Sequence, residues 1–193
     1  MNPEFVFNLL ITIIILNFIK DYYLSYLNSK NFETKIPEVV ADVYDKKKYV
    51  KSQEYKKIQY NFSNFSRLYG LILILLFFYF DGFLIFDQLT KNFFNSTILV
   101  SLSFLGLIYF ANELLSLPLS IYYNFIIEES FGFNNTTLKI FILDKLKSWL
   151  LTILFGGSVL SFLIFQYESI GKNFWITAWV FLGFLSILLN GLY

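Results

Sequence analysis

The chain has 193 residues, of which 56% are hydrophobic, 22% are aromatic and 15% are charged, and its formal net charge is +1. Soluble globular domains carry about 25% charged residues, so this composition argues against a soluble domain and favours lipid as the surrounding medium. The small net charge argues against a nucleic-acid partner, and the absence of histidine and cysteine excludes a disulfide framework and an ordinary zinc site.

Five long apolar runs divide the chain and predict an all-α, polytopic membrane protein. A helix needs about 20 apolar residues to cross ~30 Å of hydrocarbon, and the runs lack the alternation that is typical of transmembrane β-strands. With their flanking residues, the five predicted transmembrane helices cover 5–24, 68–86, 98–117, 149–166 and 174–193. The sequence therefore predicts one five-helix membrane domain over residues 1–193, with the lipid bilayer as its first partner.

The basic residues predict an orientation in the membrane. Nine of the fifteen Lys and Arg residues lie in the connection 28–67, three more lie in 121–148, and the two remaining connections hold only Lys91 and Lys172. Basic residues concentrate on the cytoplasmic side of membrane proteins, so we expect 28–67 and 121–148 to be cytoplasmic loops. The N-terminus is then outside and the C-terminus is cytoplasmic.

The connection 28–67 is expected to be a helical cytoplasmic loop and not a disordered one. Pro37 suits the first turn of a helix, and a second amphipathic stretch covers roughly 49–60. The apolar residues that follow Pro37 at helical spacing are Val39, Val40, Val43 and Tyr44. Two interpretations stay open: a solvated helical hairpin whose lysines face water and headgroups, or a surface that docks against another domain.

Asp81 and Glu113 are the intramembrane polar candidates, because charges inside membrane spans are costly and often functional. Asp81 is either buried or marks the outer end of the second span. Glu113 lies about one turn before Pro118, which is expected to break or kink the helix. The Glu113 carboxylate either reaches headgroup water or a local partner, or it lines a polar cavity.

The segment 125–135, FIIEESFGFNN, is the candidate substrate or docking loop. Its candidate residues are Glu128, Glu129, Phe131, Gly132, Phe133 and Asn134. Adjacent carboxylates on a helix point about 100° apart, so the two glutamates alone are not expected to form a catalytic dyad. The alternative interpretation is structural: Gly132 provides a turn, and the phenylalanines anchor it to the membrane face.

The stretch from Leu117 to Leu151 closely resembles the corresponding loop of the type 1 CAAX prenyl proteases, a family of membrane zinc metallopeptidases. The residues that carry this resemblance are Leu117-Pro118, Ile127-Glu128-Glu129, Phe131-Gly132-Phe133-Asn134 and Thr136-Thr137. Residues 37–44 and the pattern Tyr49-x-x-Ser52-Gln53-x-Tyr55 resemble the first cytoplasmic loop of the family, and 175–193 resembles the helix before the peptidase domain. The match covers essentially the whole chain, in the same order.

The resemblance implies that residues 1–193 are an N-terminal membrane domain, followed in the family by a C-terminal peptidase domain that holds zinc with His-Glu-x-x-His. Such enzymes cut peptide bonds near the C-terminus of lipidated or other membrane-associated substrates. This chain departs from the pattern because it has no histidine, so no catalytic or metal residue is carried over and the chain alone should be inactive. Its implied role, in a bacterial cell membrane or ER membrane, is to anchor the protein and help form a substrate chamber.

Two rival functions remain open at the level of the sequence. The chain could be a truncated or degenerate, non-catalytic membrane module that binds partners. A small transporter would require an internal repeat and interrupted helices around a midplane site, and the sequence has no convincing repeat. If the peptidase interpretation holds, Glu129→Ala or Gly132→Val should impair the full-length enzyme more than Lys47→Ala.

Overall fold

The computed structural model describes residues 2–32, Ile36 and 45–191, and these residues form helices and turns without a β-strand. The predicted helix after Pro37 and the terminal Tyr193 lie outside the described residues. The described α-helices are α1 Pro3–Ser29, α2 Lys46–Tyr79, α3 Gly82–Phe93, α4 Thr97–Tyr122, α5 Leu138–Leu151, α6 Gly157–Ile170 and α7 Phe174–Gly191. Two π-turns, Tyr123–Glu128 and Thr152–Gly156, continue α4 and α5, and the 3-10 turn Gly171–Asn173 separates α6 from α7. The prediction of an all-α fold is confirmed for this part of the chain.

Four helical stretches in the described residues are long and apolar enough to cross a membrane, namely Pro3–Ser29, Lys46–Tyr79, Thr97–Glu128 and Leu138–Gly191. The last stretch has 54 residues, which suffices for more than one crossing. Its chain direction reverses at Gly171, because Tyr167 contacts Phe174 and Phe162 contacts Phe181, with ring centroids 5.1 and 4.3 Å apart. The structure thus contains four membrane-length helices, or five when α7 is counted separately.

The chain divides into two compact units. The first comprises Met1–Phe83 with Glu113–Asn135, and the second comprises Leu84–Asn112 with Thr136–Tyr193. In the second unit, the first half of α4 packs on α5 through an edge-on contact of Phe110 with Trp149, whose ring centroids are 5.7 Å apart. The candidate loop 125–135 belongs to the first unit.

Antiparallel packing organises the first unit. Phe7 near the start of α1 contacts Phe78 near the end of α2, whereas Phe32 just after α1 contacts Tyr60. The second half of α4 also runs antiparallel to α2, since the Tyr69 hydroxyl donates to the Leu115 carbonyl at 3.0 Å and Phe62 packs on Tyr122 and Tyr123. This arrangement brings the residues after Tyr123 beside the lysine-rich first half of α2.

The helix that contains the second apolar run differs from the predicted span 68–86. It begins at Lys46, where the Asp45 side chain accepts a hydrogen bond from the Lys48 amide at 3.0 Å, so half of the predicted loop continues directly into the span. It ends at Tyr79, because Asp81 adopts a φ of 52°, which an α-helix cannot accommodate. The apolar residues after this turn belong to α3.

Pro118, where the sequence predicts a break or a kink, does not break its helix. α4 continues through Pro118 to Tyr122. A proline removes one backbone hydrogen bond, and Ser or Thr hydroxyls often satisfy carbonyls nearby in membrane helices. The carbonyl that loses its amide donor is that of Leu114, four residues before Pro118, and the Ser116 and Ser120 hydroxyls donate to the nearby carbonyls of Glu113 and Ser116 at 3.1 and 3.2 Å.

Gly82→Ala is expected to destabilise the turn between α2 and α3. A Cβ at Gly82 would lie 2.4 Å from the ring of Phe77, which itself packs edge-on against Phe83 at a centroid distance of 4.7 Å. Overpacking of this kind costs about 1–3 kcal/mol. We expect that loss in the free energy of unfolding, measured by SDS titration of the chain in mixed micelles.

Gly70→Ala is the matched control, because a Cβ at Gly70 has no neighbour within 4 Å and alanine favours the interior of a helix. Phe77→Leu should restore part of the stability that Gly82→Ala removes. Equal unfolding free energies for the Gly82 and Gly70 variants would contradict the packed turn.

Candidate functional site

The candidate loop is half helix and half turn. The π-turn Tyr123–Glu128 continues as helix to Ser130, and Gly132 then adopts a φ of 74°. The Gly132 amide donates to the Glu129 carbonyl at 3.0 Å, and the Phe133 amide donates to the Glu128 carbonyl at 2.9 Å. This pattern is a helix C-cap with glycine in the left-handed position, so Gly132 does provide a turn.

Four polar side chains meet where this helix end lies beside α2, and we call them the Tyr55 cluster: Tyr55, Gln59, Tyr123 and Glu128. The Tyr55 hydroxyl donates to Oε1 of Glu128 and lies 3.2 Å from the Tyr123 hydroxyl. Gln59 Nε2 donates to the hydroxyls of Tyr55 and Tyr123 at 2.7 and 2.8 Å. All four side chains are half-buried, so the hydrogen bonds are partly shielded from water.

The local helix geometry explains why these four residues converge. Tyr55 and Gln59 are four residues apart on α2 and therefore share a face. Tyr123 and Glu128 are five residues apart, which in an α-helix would separate them by about 140°. In a π-turn the hydrogen bonds join residues i and i+5, so these two residues stack on one face.

Two phenylalanines of the candidate loop cover the ring of Tyr55. Phe131 and Phe133 each pack edge-on against it with ring centroids 5.0 Å apart. Phe131 is only 9% exposed, whereas Phe133 is 55% exposed. The interpretation that both phenylalanines anchor the loop to the membrane is therefore wrong for Phe131, which packs against protein.

The environment of Tyr55 favours its neutral form. Burial and the hydrogen bond to Glu128 raise the pKa of Tyr55 well above its ordinary value of about 10. The phenol therefore stays protonated and serves as the donor to the Glu128 carboxylate. Because the folded-state pKa is raised, the associated stability is present below the ordinary tyrosine pKa and is lost only at strongly alkaline pH.

The other predicted site residues lie apart from this arrangement or at its edge. Glu129 is exposed while Glu128 is half-buried, so the adjacent carboxylates do not share an environment. The Asn134 amide donates to the Glu128 carbonyl at 3.3 Å. Asp81 is exposed in the turn after α2, which fits the helix-end interpretation, and Glu113 is half-buried within α4.

Sequence reasoning missed three members of the cluster as site residues: Tyr55, Gln59 and Tyr123. The spacing of Tyr55 and Gln59 at i and i+4 within a lysine-rich helix was the available signal. Tyr123 carried no such signal, because its alignment with Glu128 depends on the π-turn.

An apolar cleft of about 560 Å³ lies between α2 and the end of α4 in the first unit. Its lining residues are Ile58, Asn61, Phe62, Phe65, Pro118, Leu119, Tyr122 and Ile127. Phe62 packs on Tyr123 of the Tyr55 cluster, so the cleft and the cluster are adjacent. The first unit therefore offers a polar cluster beside a space suited to an apolar group.

The residues of this chain do not fit a zinc site. Zinc in proteins is held by cysteine, histidine and carboxylate side chains, and histidine and cysteine are missing from the sequence. Across residues 2–32 and 45–191, no group of three or more Asp or Glu side chains comes together that could hold a metal ion.

Gly132→Val is expected to disrupt the C-cap. The φ of 74° is disfavoured for a β-branched residue, and such strain costs about 1–3 kcal/mol. A Cβ at Gly132 meets no atom within 4 Å, so the loss should come from the backbone alone. We expect this loss in the unfolding free energy in micelles, with Gly132→Asn close to wild type because asparagine tolerates this region. Equal losses for valine and asparagine would contradict the C-cap.

Comparison with known proteins identifies the family. The family described as CAAX prenyl protease N-terminal, five membrane helices, matches residues 25–193. CAAX prenyl protease 1 of Saccharomyces cerevisiae is 34% identical over 177 residues, which cover 86% of this chain and 39% of that protein. The CAAX prenyl protease 1 homolog of Dictyostelium discoideum is 31% identical over 185 residues, covering 92% of this chain and 43% of that protein.

The fold agrees with this sequence similarity. A crystal structure of S. mikatae Ste24p superposes with a TM-score of 0.86 at 34% identity, covering 93% of this chain and 43% of that one. The chain thus spans about two fifths of the length of these relatives. It is a multi-pass membrane protein and belongs to the CAAX prenyl protease family, whose N-terminal membrane region it matches.

Proposed function

We propose that this chain is the membrane domain of a zinc metalloendopeptidase that cleaves near the C-terminus of lipidated or membrane-associated substrates. Two findings support the proposal: the similarity extends over nearly the whole chain, and the similar proteins are CAAX prenyl proteases more than twice as long. Zinc and the catalytic residues would come from a C-terminal peptidase domain, in the same polypeptide or in a partner. The role of this domain is to anchor the enzyme and to help form the substrate chamber.

Within that function, we assign residues 128–134 to a substrate or docking surface. This assignment is based on the Tyr55 cluster, which fixes one end of the segment through the side chain of Glu128. The backbone carbonyl of the same residue accepts from Phe133 and Asn134 and so fixes the other end. Phe133 and Glu129 stay exposed on the resulting turn and are available to a partner.

The apolar cleft beside the cluster supports a substrate that carries a lipid. Its lining is aromatic and aliphatic, with Asn61 as the polar exception. A hydrocarbon chain placed there would lie next to the candidate loop.

The proposed orientation places this surface on the cytoplasmic side. Tyr55 lies among Lys47, Lys48, Lys51, Lys56 and Lys57 on α2. Such basic segments are retained in the cytoplasm, so the cluster, the candidate loop and the C-terminus would face the compartment of a C-terminal peptidase domain.

The direct test measures cleavage of a lipidated peptide by membranes that contain the complete open reading frame or only residues 1–193. We expect cleavage by the complete protein and none by the chain alone. Glu128→Ala in the complete protein should lower kcat/KM by roughly tenfold, equivalent to about 1.4 kcal/mol, because it releases the candidate loop. Lys47→Ala, an exposed change on α2 outside residues 128–134, is the control and should change kcat/KM little.

Two results would contradict the proposal. Peptide cleavage by residues 1–193 without any addition would show that the missing zinc domain is unnecessary. A reading frame without a downstream His-Glu-x-x-His, together with no partner that restores cleavage, would leave a non-catalytic membrane module as the function.

A further inference from the structure

The short helix α3 has a surface that the proposed function does not use. α3 has 12 residues, Gly82–Phe93, and is about 18 Å long at 1.5 Å per residue. That length is too short to cross ~30 Å of hydrocarbon. α3 is therefore not a membrane span, and the side chains on its exposed faces indicate what surrounds it.

The exposed surface of α3 has an apolar stripe beside a polar one. Ile85, Leu89 and Phe93 are spaced at i, i+4 and i+8, so they share a face, and they are 51%, 42% and 76% exposed. Gln88 and Lys91 are the exposed polar side chains away from this stripe, with the exposed Leu84 between them, and Asn92, seven residues after Ile85, lies at its edge. Lys91 also pairs with Asp87 at 2.7 Å, which keeps both charges on the polar side.

The chain connectivity identifies what covers the apolar stripe. α2 and α4 are each long and apolar enough to cross a membrane, and α3 lies in the connection between them. This connection therefore begins and ends at the same membrane surface. It is bracketed by exposed aromatic residues, Tyr79 and Phe80 before α3 and Phe94 after it.

We propose that α3 is an interfacial helix that lies in the plane of the membrane and inserts Ile85, Leu89 and Phe93 among the acyl chains of one leaflet. Helices with an apolar face and an adjacent charged face bind the boundary between headgroups and acyl chains in this way, buried by about 5–10 Å. The break at Asp81 and Gly82, which ends the span at Tyr79, lets the chain change from crossing the bilayer to lying on it.

The chain contains no cysteine, so single cysteines can be introduced without first removing native ones. Single cysteines are introduced at the apolar positions, as Ile85→Cys, Leu89→Cys and Phe93→Cys, and at the polar controls, as Gln88→Cys and Lys91→Cys. Each variant is spin-labelled and reconstituted in phosphatidylcholine vesicles. Collision rates with oxygen, which concentrates in lipid, and with a water-soluble nickel complex are then measured.

We expect a several-fold higher ratio of oxygen to nickel collisions at residues 85, 89 and 93 than at residues 88 and 91, with similar shallow depths for the three apolar positions. A steady change in depth from 85 to 93 would instead show a continuation of the span and overturn the proposal. So would labels at the apolar positions that are immobile and inaccessible to both reagents, since these would report a protein partner or a second copy.

Reaction of the same cysteines with a membrane-impermeant maleimide repeats the comparison without a bulky label. Protection is expected at Ile85, Leu89 and Phe93, and fast reaction is expected at Gln88 and Lys91. Equal reaction rates at all five positions would also overturn the proposal.

Discussion

Glu128→Ala is expected to lower the free energy of unfolding by about 1.5–3 kcal/mol, the cost of losing a hydrogen bond to a charged group. The Glu128 carboxylate accepts a hydrogen bond from the Tyr55 hydroxyl, and that hydroxyl also contacts Gln59 and Tyr123. Tyr55→Phe should cost a similar amount because it removes the same hydrogen bond. The measurement is SDS-induced unfolding of the chain in mixed micelles.

The double variant distinguishes a coupled cluster from two independent contacts. Residues that share a hydrogen-bond network show coupling energies of about 0.5–3 kcal/mol, so Tyr55→Phe should add little once Glu128 is alanine. Glu129→Ala is the control, and as an exposed surface change it should stay within about 0.5 kcal/mol of wild type. For the free energy of unfolding, the larger loss is therefore expected at Glu128 and not at Glu129. Strictly additive losses for Tyr55 and Glu128 would contradict the cluster.

Insertion of one alanine after Ile126 should have a still larger effect, about 3 kcal/mol or more, because it places Tyr123 and Glu128 six positions apart. Six positions correspond to about 120° around an α-helix and exceed the i to i+5 spacing that a π-turn aligns, so the two side chains no longer share a face. The hydrogen bonds from Tyr55 and Gln59 to this segment are then lost together.

The substitution Ile126→Ala is the control, because it changes the side chain and leaves the spacing of Tyr123 and Glu128 unchanged. Ile126 is 55% exposed, so Ile126→Ala should cost far less than the insertion. In the insertion background, Tyr55→Phe should no longer destabilise the protein, because Glu128 has moved away from it. A full Tyr55→Phe effect after the insertion would show that Glu128 reaches Tyr55 without sharing a face with Tyr123.

The membrane-length helices could be predicted from the sequence because hydropathy is summed along one continuous segment. The predicted spans fall on α1, α2 with α3, α4, α5 with α6, and α7, and the second span is divided by the turn at Asp81. The boundaries at Asp81 and Pro118 were harder to predict. A turn or a continuous helix at these positions depends on packing such as that of Phe77 over Gly82 and on the local satisfaction of carbonyl groups.

The candidate loop was identified from its unusual residues and from its resemblance to a family, but its internal arrangement was not. Glu128 and Glu129 are equivalent in composition, and only the structure separates a half-buried acceptor from an exposed carboxylate. The glycine at position 132 was a sequence signal for a turn, since left-handed backbone favours glycine.

The amino-acid sequence by itself determined that lipid surrounds these helices and that the chain lacks the histidine and cysteine ligands of an ordinary zinc centre, because composition and apolar run length are properties of the chain alone. The tertiary structure alone decided that Tyr55 and Gln59 of α2 meet Tyr123 and Glu128. That meeting requires antiparallel packing of two distant helices and a local change from α to π geometry, and neither follows from the spacing of residues along one segment.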